Sequence, residues 1–137
     1  MEEAIGAILR MKNIAVVGLS RDEAKDSHRV ASYLQAHGYR IIPINPNAAG
    51  EKILGEKVYA SVSDVPSDVA IDVVDIFRPS ADIPPIVDEA IARKAKAVWM
   101  QLGIAHSGAA EKAEKNGLLV VMDRCMKIEH SRRNGQV

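Results

Sequence analysis

The stretch NIAVVGLSRDEAKDSHRVASYL, residues 13–34, holds the transition on which the fold turns. Its first six residues, Asn13 to Gly18, form an apolar run closed by glycine, without the alternation of a sheet that faces water on one side. Such a run reads as a strand covered on both faces. A polar loop follows. Val30, Ala31 and Leu34 then recur at helical spacing until Gly38 stops the pattern. Ser27 stands where a helix N-cap is wanted. Strand, loop and amphipathic helix in that order open a βαβ unit.

The alternation continues down the chain. Arg40 to Asn45 (RIIPIN) is a second strand, and Pro43, with no N–H to donate, favours an edge position or a local bulge. Residues 46–68 are loop-rich, with Pro46, Gly50, Gly55 and Pro66 around a short apolar patch at Val58 and Tyr59. Ala70–Ile76, Lys96–Met100 and Leu118–Met122 supply three more strands. Pro79 to Pro85 lead into a helix carrying Ile86, Val87, Ala90 and Ile91, and Ser107–Asn116 forms another. Upstream, Ala4, Ile5, Ile8 and Leu9 share one face of a short helix. Buried strands alternating with helices imply a parallel sheet, with right-handed crossovers placing helices on both faces. The expected fold is α/β: a three-layer αβα Rossmann-like domain with a five-stranded parallel sheet of order 3-2-1-4-5, residues 1–137 forming a single domain.

Composition narrows the function classes. At 137 residues the chain suits one core, and 47% apolar with 26% charged residues excludes a disordered tail or fibrous repeat. Eighteen basic side chains balance eighteen acidic ones, which argues against non-specific binding to nucleic acid or a membrane surface. No apolar run approaches the roughly 18 residues of a membrane span. The opening MEEAIGAILRMK puts acids where a signal peptide wants bases, so a cytoplasmic protein is expected. One cysteine excludes an internal disulfide framework and a multi-cysteine zinc site.

A doubly wound sheet binds ligands beyond the carboxyl ends of its strands, where strand order reverses. That reversal is expected between the first and fourth strands, amid the loops at Gly18–Arg21, Asn45–Asn47, Phe77–Pro79, Gln101–Gly103 and Asp123–Cys125. A dinucleotide fingerprint needs G-x-G-x-x-G, but Ser20 and Glu23 occupy its second and third glycine positions. Asn45 stands where an NAD site would want an acid. Both departures oppose a nicotinamide-binding protein. A phosphate still suits the loop, which ends at a helix N-terminus and carries Arg21, Lys25 and Arg29. Asp22, Glu23 and Asp26 interleave with those cations, and a merely solvated charged surface fits equally well.

No catalytic constellation is evident. The four histidines lack metal-ligand spacing; His28 lies nearest the loop, and His37 and His106 suit surface or capping roles. No G-x-S-x-G elbow occurs, and Ser20 has no evident base. Cys125 follows the fifth strand beside Arg124 and two residues before Lys127, cations that would favour the thiolate, although a buried inert cysteine is the common case. The charged segment Lys127–Arg133, leading to the last residues Asn-Gly-Gln-Val, suggests a frayed terminus or an inter-subunit arm.

Five stretches together carry a resemblance: VVGLSRDEAKDSHRVASYL (16–34), GYRIIPINP (38–46), ILGEKVY (53–59), AVWMQLGI (97–104) and VVMDRCMKIEH (120–130). Across nearly its whole length the chain resembles small stand-alone CoA-binding proteins related to the N-terminal domain of the succinyl-CoA synthetase α subunit. The resemblance implies coenzyme A or a short acyl-CoA over the switch point. Its phosphates would lie at Gly18, Leu19, Ser20 and Arg21 and beside Lys25, and its adenosine would run past Asn45, Pro46, Phe77 and Arg78. Gln101 and Cys125 complete the expected binding edge, where Cys125 near the CoA thiol could form a mixed disulfide by exchange. The synthetase's phosphorylated histidine belongs to a second domain absent from this sequence. Its lysine after the second strand has no clear counterpart, Lys52 being nearest. Binding transfers from the resemblance; ligase activity does not. A regulatory module sensing acyl-CoA, or a non-catalytic subunit of an acyl-CoA ligase or acyltransferase, are the alternative roles, and a homodimer is the expected assembly.

Overall fold

A computed structural model of the chain describes residues 1–134. Strands β1 (Asn13–Val17) and β2 (Arg40–Ile44) precede a small antiparallel hairpin of β3 (Lys52–Ile53) and β4 (Glu56–Lys57). Strands β5 (Val73–Ile76), β6 (Ala97–Met100) and β7 (Leu119–Val121) complete a parallel sheet of spatial order β2-β1-β5-β6-β7. Helices α1 (Glu2–Leu9), α2 (Asp26–Ala36) and α5 (Met126–Arg133) share one apolar layer with Ile14, Val16, Val73, Trp99 and Val121. Helices α3 (Ile83–Ala92) and α4 (Ser107–Lys115) share the other with Ala15, Val17, Val74, Val98 and Met100. Odd and even strand residues thus point to opposite layers, both buried, and that is why the strands read as unbroken apolar runs.

The three-layer α/β architecture is as expected, and the strand order has the expected form once a one-residue rung is counted. Outside β2, Tyr59 makes a single parallel bridge to Ile44, donating its N–H to the Pro43 carbonyl at 3.0 Å and accepting from Asn45 N–H at 2.9 Å. Tyr59 therefore holds the third place, and the strand over 73–76 lies beside β1 instead. Pro43 explains why this outer ladder stops: the next donor along it would be the proline nitrogen, which has no hydrogen. The reversal of strand order falls between β1 and β5.

Two local expectations need correction. Ser27 lies inside α2, not at its cap, and its hydroxyl accepts the Ser20 N–H at 3.0 Å; Lys25 occupies the N-cap position. The segment read as a frayed terminus or inter-subunit arm is helix α5, while Gly135–Val137 lie outside the described residues. Glu129 of α5 is buried, and its carboxylate accepts from Arg133 at 2.7 Å and Arg124 at 3.4 Å, with Arg132 at 3.6 Å. Arg133 also bonds Glu2, tying α5 to α1. A buried carboxylate without such partners would be strongly unfavourable, so these contacts decide whether α5 docks.

Candidate functional site

Two clefts open at the carboxyl edge of the sheet, one in each helical layer, on either side of the switch point. The first, of about 350 Å³, is lined by Gly18, Ser20, Asn45, Pro46, Ser61 and Arg78, with Ile86 and Glu89 from α3. The second, of about 290 Å³, lies between α2 and α5 and is lined by Val30, Phe77, Gln101, Ile104, Cys125 and Ile128, with Arg29 and Lys127 among its charged groups. Consecutive residues Phe77 and Arg78 face different clefts, so the end of β5 joins them.

The first cleft is built from backbone fitted closely together. Gly18 adopts φ +88°, and a Cβ there would stand 2.6 Å from the Phe77 carbonyl oxygen. Asn45 fixes two loops at once, its Nδ2 donating to Leu19 O at 3.0 Å and its Oδ1 accepting Asn47 N–H at 2.9 Å. Its sequence reading as a missing acid overlooked this clamp. Ser20 Oγ accepts Asp22 N–H at 3.0 Å, and His28 Nδ1 meets the Ser20 carbonyl at 2.8 Å. His28 therefore helps fix the loop. Arg78 pairs with Asp82 at 2.9 Å but both remain about half exposed, so water screens the pair and the guanidinium can exchange partners.

The predicted residues divide between the clefts. Gly18, Ser20, Asn45, Pro46 and Arg78 line the first; Phe77, Gln101 and Cys125 line the second. Leu19 is fully buried in the core, leaving only its backbone near the edge. Arg21 is engaged by Glu51 through contacts of 2.8 and 3.0 Å, and Arg29 by Asp26 and the Ala24 carbonyl. Lys25 is exposed and, among the described residues, has no carboxylate partner. Neither Arg21 nor Lys25 lines either of these two clefts. His106 caps α4 by accepting Ala109 N–H at 3.0 Å, as expected.

Sequence reasoning missed Asp75. It lies on β5 facing the second cleft's layer, fully buried, with Gln101 Nε2 donating to its Oδ1 at 2.6 Å. Its Oδ2 has no hydrogen-bond partner among the described residues. Burial pushes this carboxyl up to about 7, against the opposing hydrogen bonds from Gln101 and the Ile76 backbone. Cys125 also departs from expectation. Burial raises its thiol above the ordinary value despite the N–H groups of Ile128 and Lys127, and the charge of Asp75 adds to the effect. Arg124, expected to favour the thiolate, is turned to Glu129 and Glu2.

No group of three or more potential ligands among His, Cys, Asp and Glu gathers into a metal site among the described residues. Nor is any described helix long and apolar enough to cross a membrane.

This edge-on arrangement belongs to a known class. The chain is a member of the CoA binding domain family, which it matches over residues 12–131. The uncharacterized protein YneT of Bacillus subtilis is 37% identical over 122 residues, covering 89% of this chain and 87% of that protein. Acetate–CoA ligase II (ADP-forming) of Archaeoglobus fulgidus is 34% identical over 106 residues, 76% of this chain but 15% of the ligase. The structure of a hypothetical protein from Pyrococcus horikoshii OT3 superposes with a TM-score of 0.89 at 41% identity, covering 96% of this chain and 91% of that one. The likeness to small stand-alone proteins and to CoA-handling domains of larger ligases thus holds.

Proposed function

We propose that the chain binds coenzyme A or a short acyl-CoA across the carboxyl edge of the sheet, without chemistry of its own on the acyl group. The nucleotide end occupies the first cleft, the more polar of the two, its phosphates against the Gly18–Ser20 backbone and within reach of Arg78. The arm crosses Phe77, and the sulfur end enters the second cleft. The observation that carries this reading is the pairing of two unlike clefts joined at Phe77–Arg78 in a member of the CoA binding domain family. Coenzyme A has the same division, a charged nucleotide joined to a thinner, less polar arm. Of the large apolar side chains exposed among the described residues, Leu102 and Ile128 both line the second cleft, where a bound arm would cover them.

A role as the CoA-binding part of a larger assembly also has a specific support. The chain aligns with 15% and 18% of the length of two ADP-forming acetate–CoA ligases, so a domain of this kind forms part of larger CoA enzymes. The function at the level of binding is tested by calorimetric titration under reducing conditions with CoA, acetyl-CoA, 3′-dephospho-CoA and NAD. The expected outcome is CoA binding with a Kd on the order of micromolar, weaker without the 3′-phosphate, and no NAD binding. Failure of every CoA form, or binding of NAD alone, would overturn it.

A further inference from the structure

We infer that the joint between α2 and α5 is proton-sensitive, with His130 as its sensor: when the ring takes up a proton, α5 loosens from α2 and the second cleft between them loses its shape. The joint is independent of what the cleft holds; only the consequence for CoA rests on the proposed function.

His130 Nδ1 meets the Tyr33 hydroxyl of α2 at 2.8 Å. Its ring lies edge-on to three others, 5.5 Å from Tyr33, 5.2 Å from His37 and 5.6 Å from Tyr39. His37, at the C-cap of α2, stacks on Tyr33 at 4.0 Å, and its Nδ1 meets the Tyr33 carbonyl at 2.7 Å. The Tyr39 hydroxyl donates to the Leu9 carbonyl at the end of α1. One imidazole is therefore packed against α2 and the entry to β2, with α1 behind. A third cleft, of about 300 Å³, opens here at the amino edge of the sheet. Arg10, Lys12, His37 and His130 line it, and among the described residues no carboxylate does. From α5, Lys127 Nζ stands 5.5 Å from the centre of the Tyr33 ring. Glu129, beside His130 in the chain, is held by Arg124, Arg132 and Arg133. A charge on His130 would thus meet cations and no acid.

Burial, and then the charge of His37, hold His130 below the ordinary histidine value. With α5 docked the ring is favoured neutral; once α5 leaves, the ring regains its ordinary affinity for a proton. Docking therefore weakens as pH falls through the histidine range, toward about pH 5. Asp75 acts on the whole fold in the opposite sense, so the joint must be read locally. The link to the second cleft is short. Lys127 and Ile128, within one turn of His130, line that cleft from α5, and Arg29 and Val30, about one turn before Tyr33, line it from α2.

The test is hydrogen exchange of the whole chain at about pH 7.5 and about pH 5, corrected for the intrinsic rate at each. In wild type, protection over 126–133 should fall at least about threefold relative to β6 on acidification. His130→Gln keeps a partner for the Tyr33 hydroxyl without a titrating ring, and should hold that ratio constant. A constant ratio in wild type, or an equal fall in the variant, would overturn the inference. If the variant leaves α5 undocked even at the higher pH, the wild-type His130 titration followed by NMR decides. A midpoint below that of the unfolded chain is expected, and one at or above it is fatal. Calorimetry with CoA at both pH values separates the joint from the proposed function. CoA affinity should fall on acidification in wild type by more than in His130→Gln. Equal changes in the two proteins sever the joint from the cleft, whereas no CoA binding by either sinks the proposed function and leaves the exchange result to judge the joint.

Discussion

At Gly18 the backbone takes φ +88° with the Phe77 carbonyl 2.6 Å from where a Cβ would be, so alanine must shift the strand end itself. Gly18→Ala is expected to cost about 1–3 kcal/mol, read as a lowered urea midpoint, and to weaken CoA binding by parting the loops that shape the first cleft. The glycine at the strand end was legible in the sequence. Its need was not, because the partner backbone belongs to another strand. Asp75 was legible in another way: a lone acid within AIDVVDI breaks an apolar run, yet nothing local says that burial is complete or that Gln101 meets it. Its raised carboxyl fixes a pH dependence. Below the ordinary carboxylate range both folded and unfolded forms are protonated; between there and about pH 7 the folded state holds the proton more tightly, so stability falls as pH rises. Asp75→Asn, which keeps the neutral shape, should therefore melt close to wild type at pH 4 and progressively higher than wild type toward pH 7.5. Equal melting temperatures at pH 7.5 would remove the assigned burial cost.

Elements whose own sequence carries their burial pattern were readable: β1, α2, β6 and α4 all follow from apolar runs and helical spacing. Elements held by distant partners were not. Helix α5 looks like a solvated tail because its burial depends on arginines around one carboxylate, and the rung at Tyr59 depends on which N–H groups β2 leaves free. The loop over 61–69 is a third case. Arg93 at the end of α3 donates to four of its carbonyls, those of Val62, Val65, Pro66 and Val69, at 2.6 to 3.2 Å. Glu89 of the same helix accepts the Ser63 hydroxyl at 2.6 Å and its N–H at 3.1 Å. One helix end therefore organises a loop that has little structure of its own. Arg93→Met is expected to destabilise by about 2 kcal/mol through the orphaned carbonyls. Hydrogen exchange should accelerate over residues 62–69 and leave β6 protected; uniform acceleration would mean the loop is not a separate unit.

Over the whole molecule, the two ends of the described chain meet at one charge cluster, and that cluster borders the proposed sulfur end of the ligand. Glu129 gathers Arg124, Arg132 and Arg133, and Arg133 reaches Glu2. The same helix carries Ile128 and Lys127 into the second cleft, immediately after Cys125 at its N-cap. Docking of α5 and the shape of the cleft are thus one equilibrium. Glu129→Gln keeps the volume but removes the charge the arginines surround, and should cost about 2 kcal/mol, less than a fully buried pair because the arginines remain partly solvated. Exchange protection over 126–133 should fall in this variant. A ligand that binds only when α5 is docked must pull that equilibrium back, so saturating CoA is expected to restore most of the lost protection. A ligand confined to the first cleft would contact nothing on α5 and would leave its exchange fast. The comparison of CoA with a nucleotide lacking the arm, such as 3′,5′-ADP, therefore reports where the arm goes: restoration by CoA alone places it against α5, and equal restoration by both would refute the two-cleft arrangement.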